Sequence, residues 1–397
     1  MIKNNLRTAF FQHLAQTCEA PPAINISHGE GCFLYDTDER QYIDLISGIA
    51  VSSLGHNNPE ILKAVSEQLQ QHLHVMVFGE YILSPQVNLA KKLASLLPAN
   101  LSKVYFTNSG AEAIEGAMKL AKRFTGKSEF ISCKNAYHGS TQGALSLMGN
   151  ETYKQAYRPL LPNIRHIEFN NIESLELINS NTAAVFTEPV QSETGYLAAD
   201  TEFMHKLRKK CYECGTLLVF DEAQSGMGRT GKLFGFEDFN ITPDILVLAK
   251  AVGGGFPLGA FIASSEIMDT LGSNPPLGHL TTFGGHPISC AASLAALSII
   301  SQPDFLNDVQ RKAQYFQKLI TEMNPGQKIT GKGLMLAIHF ENETICQKAI
   351  TNCLDKGLIA DWFLFAPNAM RLTPPLIISD ELLYQSAVII NESIKSV

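Results

Sequence analysis

Between Lys103 and Ser264 the chain repeats one pattern: a short apolar or β-branched run, a polar or glycine-bearing cluster, then in most cases a helical stretch. Alternation of this kind builds a sheet with helices packed on its faces. The runs predict strands at 104–107, 130–133, 164–169, 183–187, 217–220, 245–248 and 260–263. Most carry apolar residues at both odd and even positions, as strands covered on both faces do. The fold class that follows is α/β, with a large mostly parallel sheet domain.

Outside this block the pattern changes. Residues 32–35 and 42–45 flank Asp36-Thr37-Asp38 and read as a hairpin, and the tail from Phe305 alternates long helices with short strands near 334–340 and 370–372. We expect a smaller α+β domain assembled from residues 1–55 and 286–397, with 56–285 as the large domain. Leu6, Phe10 and Leu14 recur every four residues, so residues 1–16 read as an amphipathic helix and not as an exported leader. The apolar run 288–300 holds three serines, is short for a membrane span, and reads as a buried helix.

The reactive side chains sit at one kind of place. Asn108-Ser109-Gly110 follows the first strand, Tyr137-His138-Gly139 comes soon after the second, and Glu188 follows the fourth. Asp221-Glu222 and Lys250 close the next two. Open α/β sheets bind ligands outside the carboxyl ends of their strands, so these five clusters converge on one crevice.

Each cluster has its own chemistry. Ser109 and Gly110 before good helix formers offer backbone N–H groups and a positive helix end to a phosphate, although a plain capping arrangement uses the same residues. Asp221 at the end of a buried strand needs a partner. A protonated pyridine nitrogen suits it, since an opposite charge within roughly 4–6 Å raises such a pKa by about 1–3; a helix cap or a magnesium ligand are the competing roles. Lys250, followed by Ala251-Val252-Gly253-Gly254-Gly255, suits imine formation, because burial lowers an amine's pKa and frees it as a nucleophile.

A net charge of −7 without a basic cluster argues against a nucleic-acid partner and leaves small-molecule chemistry. No membrane partner is expected either. Eight scattered cysteines read as reduced thiols of a cytoplasmic protein. Cys211 and Cys214 lack a second ligand pair for zinc and read as two thiols at a helix end; no metal site is expected.

Taken in order, several stretches resemble one family. They are 47–51 (Ser-Gly-Ile-Ala-Val), 108–113, Tyr137-His138-Gly139, Glu188-Pro189-Val190-Gln191, Asp221-Glu222-Ala223-Gln224, Gly228-Arg229-Thr230-Gly231, Lys250 and Thr281-Thr282-Phe283-Gly284-Gly285. The chain is similar, over almost its whole length, to the class III pyridoxal-phosphate-dependent aminotransferases of the acetylornithine and ornithine type, which have the type I aminotransferase fold. The resemblance implies pyridoxal 5'-phosphate as cofactor. Lys250 would be the Schiff-base lysine and proton carrier, and Asp221 would keep the pyridine nitrogen protonated. Gln224 would meet the phenolic oxygen, Ala223 would pack under the ring and Tyr137 over it, with His138 and Glu188 also at the cofactor. Ser109, Gly110 and Ala111 would hold the phosphate, together with Thr282 from a second subunit, so a homodimer with shared sites is implied. Arg371 would bind the carboxylate of the 2-oxo acid, and Glu193 would neutralise it when an ω-amine enters.

The chain also departs from that family. Members acting on acetylornithine or ornithine usually carry an arginine directly after the Phe/Tyr-His-Gly run, where this chain has Ser140. His286 stands where an asparagine is usual, and Thr194 where a small residue is. Either another cation such as Arg158 replaces the arginine, or the substrate lacks that carboxylate. The reaction expected is a ping-pong transfer of the terminal amine of ornithine, N-acetylornithine or a similar ω-amino acid to 2-oxoglutarate. Competing readings are an ω-amine:pyruvate transaminase, an aminomutase of the same fold, and a non-catalytic binding protein on the same scaffold. A nicotinamide dehydrogenase is disfavoured, because Gly253-Gly254-Gly255 lacks the glycine spacing of a dinucleotide turn.

Overall fold

The computed structural model describes residues 2–77 and 79–397. Its central sheet orders seven strands as Lys103–Thr107, Gly259–Ala263, Ile245–Leu248, Leu217–Asp221, Thr182–Thr187, Glu129–Cys133 and Ile164–Ile167. All run parallel except Gly259–Ala263, which is antiparallel to both neighbours. These are the seven strands read from the sequence. The one expected at 164–169 stops at Ile167, which pairs with Cys133, the last residue of the neighbouring strand.

Four central strands are buried at every position, which is why their sequences show no polar alternation. Leu218, Phe220, Leu246 and Ile262 face one helical layer, which includes Pro59–Leu69, Ser84–Leu96, Thr201–Glu213 and Pro287–Ile300. Val219, Val247, Phe186 and Phe261 face the other, dominated by Gly110–Thr125. That helix lies so close to the sheet that a Cβ on Gly116 would come within 2.3 Å of the Phe261 ring.

A second sheet joins Ile26–Glu30, Phe33–Asp36 and Gln41–Asp44 to Leu358–Ile359 from the tail, the last pair running parallel. The hairpin strands are shifted by one residue from those expected. Asp36 turns its carboxylate back to accept from the N–H groups of Asp38 (2.8 Å) and Arg40 (3.0 Å), which keeps it in the first strand and places Arg40 in the turn. A third sheet orders Lys328–Lys332, Met335–His339, Ala369–Leu372 and Asp361–Trp362. Ile43 and Leu45 share a core with Phe316, Leu336, Met370 and Leu383, so the first residues and the tail pack as one body.

The expected division at residue 286 falls ahead of Pro287–Ile300, yet Cys290, Ala292, Ala296, Leu297 and Ile300 belong to the core of the large sheet. We therefore propose that the small domain begins after that helix, near Ser301. Among the described residues no single helix is long and apolar enough to cross a membrane; Pro287–Ile300 and Pro303–Met323 pass that test only as a pair bent by 72°. The first helix runs Ile2–His13, and Met1 lies outside the described residues. It stops short of residue 16 because the Gln16 amide folds back to donate to the carbonyl of Phe10 at 2.9 Å. Leu6 and Leu14 remain exposed.

Candidate active site

The carboxyl ends of the parallel strands open into a cavity of about 440 Å³. Its wall takes in Ser109, Gly110, Ala111, Tyr137, His138 and Ser140, together with Glu188, Asp221, Ala223, Gln224 and Lys250. All five clusters singled out by position do meet there. Ser109 caps the helix Gly110–Thr125, its hydroxyl accepting from Glu112 N at 3.2 Å. The capping role and an anion cradle coexist, since a first turn leaves its leading N–H groups without helical acceptors. A Cβ at Gly110 would stand 3.1 Å from that of Ala249, so only glycine brings this backbone flush with the cavity floor.

Asp221 is the last residue of its strand and only 6% exposed. His138 Nδ1 donates to one of its oxygens at 2.8 Å and Ala223 N donates to the other at 3.0 Å. Burial alone would push the His138 pKa down, but the hydrogen bond and charge of Asp221 outweigh it and hold that pKa above the ordinary histidine range. His138 therefore backs Asp221, and its Nε2 is a buried nitrogen without a partner among the described residues. Glu188 accepts from Tyr137 N (3.3 Å) and from Ser192 N (2.9 Å) and Oγ (2.6 Å). Burial pushes its pKa up to about 7, with the His138 charge opposing. It fixes the loop that carries Tyr137.

Lys250 does not end a strand. Pairing stops at Leu248, and Lys250 opens a short 3-10 turn with φ +53°. A lysine held in the left-handed region is strained, a condition that persists only where surroundings enforce it. Burial lowers its pKa to about 8; the Glu193 charge works against this and the Arg371 charge with it. Its amine is thus half neutral near pH 8 instead of about 10.4. Between those values the unfolded chain holds the extra proton, so this group favours folding increasingly as pH rises through the window. We expect cofactor-free protein to be labelled at Lys250 by a reactive aldehyde and cyanoborohydride with a midpoint near pH 8. A midpoint above about 10 would show an ordinary exposed lysine.

Behind the cavity wall lies a buried ion pair. Arg371, 2% exposed, donates through Nη2 to Glu193 Oε2 at 2.6 Å, and its guanidinium stacks 4.5 Å from the Phe363 ring centre. Burial alone would lower the Arg371 pKa, but Tyr196 and Glu193 raise it above the usual value. Its Nε and Nη1 have no acceptor among the described residues. Gln224 bridges from the cavity, its amide 3.4 Å from Glu193 Oε1.

Two residues weighed for the site lie elsewhere. Arg158 is exposed and forms a two-point ion pair with Glu151 at 2.8 and 2.9 Å, so it does not take over at Ser140. Ser140 instead shares a hydrogen bond with the Tyr137 hydroxyl at 3.1 Å. Thr282 is exposed and lines no part of the cavity of the single chain. Cys211 is buried within the helix Thr201–Glu213 and Cys214 caps its end.

Other contributors stand in stretches that carry the family resemblance, 47–51, 221–224 and 228–231, but no role is assigned to them from the sequence. Ser47, Gly48, Ile49 and Ala50 all have φ between 52° and 61°, a left-handed turn that delivers Val51 to the cavity. Such turns cost roughly 1–2 kcal/mol per non-glycine residue. Asp44 offsets this by accepting from Ile46 N (2.8 Å) and Ser47 N (2.9 Å), and Ser47 Oγ donates to Thr373 O at 2.7 Å. Within that stretch only Gly48 is of a type that favours positive φ. Glu222 points away from the cavity, as a residue next to Asp221 along a strand must, and accepts from Gly235 N (2.6 Å) and Phe236 N (2.7 Å). Burial pushes its pKa up to about 8. Arg229, fully buried, ties Pro374 O, Leu334 O and Ser53 Oγ together, and burial lowers its pKa to about 10.

The sequence model of the class-III aminotransferases matches residues 15–394. The acetylornithine aminotransferase of Bacillus cereus is 40% identical over 388 residues, 96% of this chain and 97% of that one. Among solved structures, the ornithine aminotransferase of Toxoplasma gondii ME49 superposes with a TM-score of 0.91 at 25% identity, covering 99% of this chain and 95% of that chain. An adenosylmethionine-8-amino-7-oxononanoate aminotransferase of Methanocaldococcus jannaschii gives 0.92 at 27%, with 99% of both chains covered. This chain belongs to the class-III aminotransferase family and has its α/β fold, with the large mostly parallel sheet expected of it. It is a transaminase that depends on pyridoxal phosphate. The residues present fit that group: a glycine-floored helix start for a phosphate, a buried carboxylate for a cationic ring nitrogen, and a low-pKa lysine in the same cavity.

Proposed function

We propose that the chain transfers the terminal amino group of an ω-amino acid, such as ornithine or N-acetylornithine, to 2-oxoglutarate in a ping-pong sequence. The observation that carries this is the meeting in one cavity of Lys250 with the His138-backed Asp221, with the Arg371 and Glu193 pair directly behind. When bound, pyridoxal phosphate supplies an electron sink for the carbon that loses a proton. Ser109, Gly110 and Ala111 would hold its phosphate, and Ala223 and Tyr137 would pack against its ring. Gln224 is at hand for the phenolic oxygen, and Asp221 holds a proton on the ring nitrogen. Lys250 Nζ takes and returns the proton at the reacting carbon, a role its pKa near 8 suits, since a proton carrier works best near the ambient pH.

Glu193 covers Arg371 while an ω-amine occupies the site. Withdrawn, it exposes a guanidinium whose two unpaired nitrogens suit a two-point grip on the carboxylate of a 2-oxo acid. A buried arginine left bare is costly, so the pair alternates partners instead of standing open. Thr282, exposed beside exposed Leu280 and Phe283, supports a homodimer in which each copy completes the other's phosphate site. The scattered thiols support a cytoplasmic setting.

One observation favours a second reading. The only lysine or arginine on the cavity wall among the described residues is Lys250, and the position after Gly139 offers neutral hydroxyls, those of Ser140 and Tyr137. A second substrate carboxylate would find no ion pair there, which favours pyruvate as acceptor. Steady-state assays pairing ω-amino donors with each oxo acid decide it. Parallel double-reciprocal lines and a kcat/KM at least ~10-fold higher with 2-oxoglutarate, the equivalent of about 1.4 kcal/mol, are expected; a preference for pyruvate of that size overturns the first reading.

A further inference from the structure

The segment that follows strand Asp361–Trp362 holds Glu193 from behind, and a residue with no role so far holds that segment. Leu364 N donates to Glu193 Oε2 at 3.2 Å, the same oxygen that pairs with Arg371, and Phe365 N donates to the Glu193 carbonyl at 3.0 Å. On its other side the Leu364 carbonyl accepts from the Tyr153 hydroxyl at 2.9 Å. The Tyr153 ring meets Phe365 edge to face, with centres 5.4 Å apart. Phe363, one residue earlier, is fully buried against the Arg371 guanidinium and Tyr196. Tyr153 itself is firmly set. It ends a short turn capped by Asn150, whose side chain accepts from Thr152 N at 3.1 Å, and the next residue, Lys154, is buried and donates to Met148 O at 2.9 Å.

We propose that Tyr153 is a positioning residue that latches the Glu193 gate: its hydroxyl holds Leu364 where the Leu364 N–H steadies the Glu193 carboxylate on Arg371. The inference rests on the reading of Glu193 and Arg371 as a gate given above. To uncover Arg371, Glu193 Oε2 must give up two donors, Arg371 Nη2 and Leu364 N. Arg371 recovers its loss on an incoming carboxylate, whereas Leu364 N–H does not. The closed state therefore gains from the latch and the open state does not, so its strength sets the balance between the two half-reactions. Tyr153 touches neither partner of the ion pair directly and reaches from the large-sheet side to a segment of the small domain, coupling the gate to how the two bodies sit together.

Removing the hydroxyl while keeping the ring tests this. In the purified holoenzyme, Tyr153→Phe is expected to lower kcat/KM for the ω-amine half-reaction ~3- to 10-fold, the loss of about one hydrogen bond, and to raise it for the 2-oxo acid half-reaction by a similar factor through a lower KM. Single-turnover absorbance of each half, measured separately, reads the two effects. A merely structural defect slows both halves together, and that result overturns the proposal. Glu193→Gln, measured alongside, separates the latch from the gate. If Glu193→Gln splits the halves in opposite directions and Tyr153→Phe does not, the latch is wrong and the gate stands; if neither splits them, both readings fall.

Discussion

Lys250→Ala is expected to reduce transamination by at least ~10⁴-fold, since one change removes both the imine-forming amine and the proton carrier, and each function alone is typically worth ~10²–10⁴. The loss should come without unfolding. Lys250 lines the cavity, its strand ends two residues earlier, and its neighbours Ala251, Val252 and Gly253 are held by their own burial. Lys250 takes no part in the Glu193–Arg371 hydrogen bond, so removing its desolvated amine leaves that ion pair intact. Turnover, the absorbance of the protein with added cofactor, and borohydride fixation should therefore separate. The alanine variant should still take up the cofactor through its phosphate cradle and Asp221, yet borohydride should fix nothing at position 250. Retention of more than about a tenth of wild-type turnover, far above what loss of general acid–base catalysis allows, or fixation of the ring to another lysine in the native chain, would remove Lys250 from the centre of the chemistry.

Why the sequence exposes so much of this site, and where it falls silent, follows from the range of the forces involved. Strands such as Leu217–Asp221 are local objects: five residues, buried on both faces, whose apolar run is visible without knowing any partner. Their carboxyl ends are fixed by the parallel topology, so Asp221, Glu188 and Ser109 could be placed in one crevice before any contact was known. The His138 contact to Asp221 spans 83 residues, and nothing local to Tyr137-His138-Gly139 announces it. The same holds for Arg229, which reaches 145 residues ahead to Pro374 O, and for Tyr153, 211 residues from Leu364. The left-handed turn 47–50 hid for a different reason. Ile49 and Ala50 are poor residues for positive φ, and only Asp44, Thr373 and the packing around them hold the chain there. The expected division at residue 286 and the proposed one near Ser301 differ because Pro287–Ile300 is apolar around most of its circumference, which identifies burial but not the core that receives it.

Asp221→Asn separates the charge of the cofactor-facing carboxylate from its shape. The asparagine oxygen can still accept from Ala223 N, now 3.0 Å away, and the side chain fills the same space, so the strand end should not move. What disappears is the negative charge that faces the cavity from one side and raises the His138 pKa from the other. With the charge gone, burial becomes the leading influence on His138, and its pKa should fall below the ordinary 6.5 instead of standing above it. Histidine titration followed by NMR in the cofactor-free variant reads that directly. For the reaction, a preorganised charge at a site of developing charge is worth about 10²–10³ in rate, so kcat should drop by that factor while the cofactor remains bound. The two readouts are linked by one cause: a carboxylate only 6% exposed whose hydrogen bond and charge raise the His138 pKa. If the variant turns over within about threefold of wild type, a loss under 1 kcal/mol, a negative charge at that position is not what keeps the ring nitrogen protonated. A drop in kcat with His138 still titrating above the ordinary range would instead assign the raised pKa to Glu188, the other carboxylate whose charge reaches that ring.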